Sequence, residues 1–213
     1  IDWLKDIFDA VIGQQPLKVD YRKFDETAFV WTIHPYYIKQ YNNRWFLIGF
    51  NPEFNDLSTI PLDRIDDLEP VHIPYIENSE TDFDSYFDNV IGVTIPDAPL
   101  ETIKLRFTPS RLQYVLTKPL HKSQVCTDPA SGIIILKLIP NNETDALILS
   151  FGADVEVLEP ESYRNRIREK VQSALANYFD VQAGCTKITL PSHRKQELKH
   201  IRRSNTYGRN TSQ

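Results

Sequence analysis

The sequence predicts an α+β chain in which a small closed β-barrel is followed by a ferredoxin-like α/β extension. Two patterns carry this. About five short strand signals crowd into residues 17–74, the spacing of a small all-β unit. After residue 100 the signals run β-α-β-β-α-β-α, a split unit with one added helix. A hydrophobic fraction of 41% and a charged fraction of 25% in 213 residues allow a real core in one or two domains.

The elements follow in order. Residues 2–13 read as an amphipathic helix, with Trp3, Leu4, Ile7, Phe8, Val11 and Ile12 at helical spacing and Gly13 as its stop. It has no partner helix nearby, so it should pack on the following sheet or on something upstream. "LKVDYRKF" alternates Leu17, Val19 and Tyr21 against polar residues. "AFVWTIHPYYIKQY" is a long second strand, with Pro35 as a point of interruption. "NRWFLIGF" is the third, entered through a turn at 41–44, and "STIPLDRIDDLEP" places another strand around Ile60 to Ile65.

Residues 75–99 change character. Acidic residues with aromatic punctuation suggest a short helix near Phe83 to Phe87 and a linker, with a boundary near 95–100. Beyond it come the strand "TIKLRF" and the helix "PSRLQYVLTKP", then "HKSQVCTD" in extended form. The strand "IIILKLIP" and the helix "NNETDALILSFG", opened by Asn and closed by Gly152, follow. "DVEVLEP" is the last strand. The final helix carries Tyr163, Ile167, Val171, Leu175 and Tyr178 on one face.

Composition excludes several classes. No apolar run is long enough for a membrane span, and no signal peptide precedes the first helix. Cys126 and Cys185 form no C-x-x-C pair, so neither a zinc site nor a disulfide framework is expected, and a reducing cytoplasm is the simplest setting. The chain contains no Met, which predicts that something precedes Ile1. Residues 183–213 hold seven Lys or Arg against Glu197 alone, a local charge of +6, so the other 182 residues carry −11. A basic tail on an acidic body can touch phosphates or be a disordered or non-native extension. The acidic body argues against broad duplex binding.

No catalytic motif appears. The five histidines form no metal-binding spacing, and no phosphate loop or nucleophile elbow is present. Asp63, Asp66 and Asp67 could hold a cation, but read more simply as a solvated strand end. No cofactor and no metal are expected.

A binding surface has better support. Tyr21-Arg22, His34-Pro35-Tyr36, Arg44-Trp45 and Asp63-Arg64 each set a cation or imidazole beside a ring or strand end. If the strands are neighbours, three arginines and a histidine converge. Arginine forks pair oxygens bidentately and flat rings stack, which suits a ligand with phosphates and bases. The plainer alternative puts Trp45 and Tyr21 in the core, leaves Arg22 and Arg44 solvated and pairs Arg64 with Asp63 or Asp66.

"RWFLIG", with "YRKF" and "IHPYYIKQYNNR" before it and "TIPLDRI" after it, resembles the WYL domain family, whose Trp-Tyr-Leu run reads here as Trp45-Phe46-Leu47. "LRF", "KPLHKSQ" and "LSFGADVEVLEP" resemble the extension that commonly follows that domain. The resemblance covers about residues 5–180. It implies a bacterial transcription regulator, usually a homodimer, with a winged helix-turn-helix missing here. A linker helix, an Sm/SH3-like barrel and a ferredoxin-like extension would follow it. It also implies an effector, with single-stranded DNA or another nucleic-acid-derived molecule leading. The family's pocket positions carry over as Tyr21, Arg22, His34, Trp45 and Arg64, with Arg44 where similar members often have a basic residue. Phe46 lacks the hydroxyl of the family's Tyr, and Ser58 stands where a further Arg is common.

The expected partition is a linker helix at 1–15, the WYL barrel at 16–75, an acidic linker at 76–100, the extension at 101–180 and a basic tail at 181–213. The expected function is effector sensing and dimerisation in a DNA-binding regulator, with an oligonucleotide or nucleotide effector, operator DNA bound through the missing domain, and no membrane partner. A protein–protein module is the alternative. Lys118, His121, Lys122 and Gln124 of "KPLHKSQ" are a second candidate surface, or a structural turn.

Overall fold

The computed structural model describes residues 3–23 and 27–178. The basic tail and Cys185 lie outside the described residues. Residues 1–172 form one compact unit, and the chain from Ser173 onward forms a second. In the second, only the end of the last helix is described.

The chain is mixed α and β, with antiparallel sheets. Helix α1 (Leu4–Ile12) is followed by β1 (Leu17–Arg22), β2 (Ala28–Tyr41), β3 (Arg44–Asn51), β4 (Asp56–Pro61) and β5 (Ile65–Pro70). These pair in the order β4-β3-β2-β1-β5. Among the described residues no ladder joins β4 to β5, so the expected closed barrel is not found. The two end strands meet end to end, through a 3-10 helix at Leu62–Arg64. That helix occupies the segment where a strand over Ile60 to Ile65 was expected. Pro61 starts it, with no N–H to donate to a ladder.

β2 runs unbroken through Pro35. The proline pairs with Gly49 across a register shift, the irregularity that lets a strand carry a proline. A Cβ on Gly49 would stand 2.5 Å from the His34 carbonyl oxygen, so only glycine fits the close approach.

"WFLIGF", residues 45–50, carries no polar side chain but the indole's N–H, because both faces of β3 are covered. Trp45 and Leu47 pack into a core with Ile7 and Ala10 of α1, Val19, Ile33 and Ile60. Phe46 and Ile48 face the other way, into a cluster with Phe87, Val90 and Val93. α1 therefore packs on the sheet, although Phe8 and Ile12 stay 54% and 68% exposed.

The acidic segment is a packed strap. No helix forms over Phe83 to Phe87; the backbone makes turns. Asp82 takes hydrogen bonds from the Asp84 amide and the Ser85 hydroxyl, a local alternative to helix, and the rings bury sideways. Phe83 stacks on Tyr37 at 5.1 Å, and Lys39 stands over Phe87 at 4.2 Å. At the strap's start, Tyr75 donates to the Pro35 carbonyl at 2.7 Å and Tyr36 donates to the Ile76 carbonyl at 2.9 Å.

The second sheet contains β6 (Glu101–Phe107), β7 (Val125–Asp128), β8 (Ile133–Leu138) and β9 (Val155–Glu159), in the order β7-β8-β6-β9. Helix α2 (Pro109–Thr117) follows β6, α3 (Asn142–Ser150) follows β8 and α4 (Glu161–Ala176) follows β9. Ile103, Leu105, Ile134, Leu136 and Ile148 are at most 1% exposed in its core. Tyr163 and Ile167 of α4 are buried there, but Val171 on the same face is 48% exposed. Asp145, buried on α3, binds Arg166 at 2.7 Å and Lys170 at 3.0 Å. It thereby ties α4 to α3.

Asn141 joins strap to second sheet. Its side-chain oxygen accepts the Thr144 amide at 2.8 Å, capping α3, while its Nδ2 donates to the Ile91 and Thr94 carbonyls at 2.8 Å each. Asn141→Ala should lower stability by at least about 2 kcal/mol, through the lost cap and two stranded carbonyls. The exposed neighbour substitution Asn142→Ala should stay within about 0.5 kcal/mol. Urea unfolding midpoints of the two variants check the difference.

Candidate functional site

A cleft of about 650 Å³ opens where the β2–β3 turn meets the 3-10 helix. Asn42 and Asn43 form that turn at φ of 48° and 62°, the paired left-handed residues of a two-residue hairpin. The turn delivers Arg44 and Trp45 to the cleft, and the 3-10 helix delivers Asp63 and Arg64. Val93 and Thr94 of the strap and Glu143 of α3 complete the wall. Phe46 also reaches it, whereas Ser58 pairs with Gly49 farther along the β3–β4 ladder.

Three of the six expected binding residues meet here: Arg44, Trp45 and Arg64. Arg44 pairs with Asp63 at 3.1 Å, both side chains being nearly half exposed. Arg64 extends the site inward, its Nη1 reaching the Tyr21 hydroxyl at 3.4 Å. Tyr21 itself is buried and stacks on Trp31 at 5.0 Å, so its ring is not presented to a ligand. Arg22 pairs with Asp66 at 2.6 Å and does not line the cleft. The three nearby carboxylates Asp63, Asp66 and Asp67 make no metal cluster among the described residues; two of them face arginines instead.

The structure does not bring His34 to the cleft. It is 1% exposed, between Phe50 and Tyr75. Its Nδ1 accepts the Ile76 amide at 3.0 Å. Burial pushes its pKa below the ordinary value, in keeping with a ring nitrogen that must keep its lone pair. Burial also pushes the neighbouring Tyr75 hydroxyl up to about 12.

In the second candidate surface the loop's own bonds dominate. Gln124 donates to the Val115 carbonyl and accepts the Leu120 amide, each at 2.9 Å. His121 contacts the Ser123 hydroxyl at 2.8 Å, and Lys122 pairs with Asp88. Lys118 turns instead to a second cleft of about 430 Å³, lined also by Arg111, Tyr114 and Phe151.

Sequence reading missed Tyr41, Thr94 and Glu143. Glu143 takes the Thr94 amide at 3.1 Å and the Thr94 hydroxyl at 2.7 Å. Gly92, at φ of 87°, lets Glu143 come so close that a Cβ there would lie 2.7 Å from the glutamate side chain. A spacing of about fifty residues between these partners leaves no local signal.

The His34 geometry fixes the sign of one pH effect. The folded imidazole resists protonation while the unfolded one takes a proton below about 6.5. Stability present at pH 7 is therefore lost as pH falls toward the depressed folded value. The denaturant midpoint should drop between pH 7 and pH 5. His34→Gln should show a smaller drop, although His121, also lowered by burial, leaves part of it.

Residues 2–70 match the WYL domain family and residues 99–175 match the WCX domain family. No curated protein matches the chain. Among solved structures, the chain is similar to "Proteasome accessory factor B/C (PafBC) of Arthrobacter aurescens" at 17% identity and a TM-score of 0.31, over 83% of this chain and 27% of that one. It is also similar to a "CRISPR Cas-related protein" at 10% identity and a TM-score of 0.47, over 83% of this chain and 51% of that one. The chain thus spans about a quarter and about half of these proteins. The chain thus carries a WYL domain, which contains the cleft's arginines, followed by a WCX domain, which contains Glu143.

Proposed function

We propose that this chain is the effector-sensing region of a bacterial transcription regulator and that the cleft at Arg44, Trp45 and Arg64 receives a nucleic-acid-derived ligand, short single-stranded DNA first. The observation that carries the reading is the meeting of two guanidinium groups and an indole at one opening. Forks pair phosphate oxygens and the ring stacks a base. The Arg44–Asp63 pair is no obstacle, since a half-exposed ion pair is worth at most about 1 kcal/mol and a phosphate can take the carboxylate's place.

The finer architecture belongs to the same reading. The β4–3-10–β5 passage supports an Sm/SH3-like first part over 16–75, behind a linker helix at 1–15. The order β7-β8-β6-β9, with α2 and α3 in the connections, supports a ferredoxin-like extension over 101–180. A ligand in the cleft touches residues of both parts, so it can bias their arrangement and, in a homodimer, the spacing of DNA-binding heads on an operator. No catalytic role is assigned. Among the described residues no helix is long and apolar enough to cross a membrane, and we place the protein in the cytoplasm. The exposed Phe8 and Ile12 on α1 favour one further reading, a protein–protein module docking through that helix.

Fluorescence titration of labelled single-stranded oligonucleotides at two salt concentrations tests the sensor. Arg44→Ala should weaken binding about five- to tenfold and reduce the slope of log affinity against log salt by about 0.7. If neither oligonucleotides nor cyclic nucleotides bind, the sensor reading fails and the protein module stands.

A further inference from the structure

The two clefts share their walls. Tyr41 lines both. The strap gives Val93 and Thr94 to the first and Ile91 to the second. Helix α3 gives Glu143 to the first and Leu147 to the second, one turn or about 6 Å apart along its axis. Three continuous elements thus run from one opening to the other, so the clefts are neighbours along one seam.

The second cleft repeats the chemistry of the first. Arg111 is held by Asp154 through Nε and Nη2, at 3.3 and 3.2 Å. Its guanidinium carbon stands 5.7 Å from the Tyr114 ring centre and 5.9 Å from that of Phe151. Tyr114 is 47% exposed. Lys118 has no ion pair among the described residues and is exposed at the rim. Glu143, on the wall of the first cleft, directs Oε1 at the Val93 and Thr94 amides and the Thr94 hydroxyl, so that oxygen already carries three donors.

We propose that the two clefts form one track for a single-stranded oligonucleotide several nucleotides long, with Tyr114 as a second stacking platform and Lys118 and Arg111 as its phosphate contacts. The proposal rests on the reading of the first cleft as a nucleic-acid site and extends it to ligand length. Two cation-and-ring stations on a common seam fit a polymer with repeating phosphates and bases; a mononucleotide would fill only one of them.

The test uses the full chain and labelled oligo-dT of two, four and eight nucleotides, with an oligo-Glu peptide as competitor. Wild type should bind the eight-mer at least tenfold more tightly than the two-mer. Tyr114→Ala/Lys118→Ala, both surface positions, should lose about fivefold or more on the eight-mer and stay within twofold on the two-mer. Arg44→Ala should weaken both. Equal affinity of double variant and wild type for the eight-mer overturns the track and leaves the first cleft as the site. Absence of binding at every length overturns the track together with the sensor reading. Displacement of the eight-mer by oligo-Glu at equal charge overturns base stacking and points to an acidic peptide.

Discussion

Everything in this chain depends on burying the second face of β3. The strand carries large apolar residues on both sides, and α1 with the other strands covers only one. The strap, through Phe87, Val90 and Val93, covers the other and then sends Ile91 into the core of the second sheet. Removing that cover would expose Ile48, Phe46 and Tyr37 together, several times about 2 kcal/mol of apolar transfer. The cleft exists because the strap ends beside the β2–β3 turn, so its wall comes from residues far apart in sequence.

Local signals made much of this legible. The periodicity of α1, the Asn pair before Arg44, the Asn141 cap and the alternation after residue 100 all rest on interactions within a few residues. "RWFLIG" and "LDRI" marked the parts of the cleft that lie on one sheet, and Arg44, Trp45 and Arg64 do meet. The failures have one cause. Tyr21, Arg22 and His34 were grouped with them by chemistry and by the resemblance, but a strand's residues alternate between faces: the buried Tyr21 meets the cleft only through Arg64, Arg22 turns to Asp66 and His34 to the Ile76 amide. Acidic residues at 77–88 read as linker because charge dominates the composition, while three aromatic rings in the same region, Phe83, Tyr86 and Phe87, decide the packing. Glu143 and Thr94 carried no sequence signal because their contact is purely tertiary.

Electrostatics in the cleft is balanced rather than strongly positive. Arg44 faces Asp63, and Glu143 adds a second carboxylate to the cleft's lining. On the proposed reading, such a site would discriminate by geometry, taking a ligand that offers oxygens where Asp63 now sits and a flat ring near Trp45. That is consistent with an acidic body that does not attract nucleic acid indiscriminately.

Asn141 has one more implication. The same side chain that starts α3 also holds the strap's Ile91 and Thr94 carbonyls, and the strap in turn shields β3. Loss of the first sheet's cover and fraying of the second sheet's helix are therefore a single molecular event. Two regions that match separate families, with some thirty residues between them, should melt as one cooperative block, without a half-folded intermediate in which one sheet persists alone.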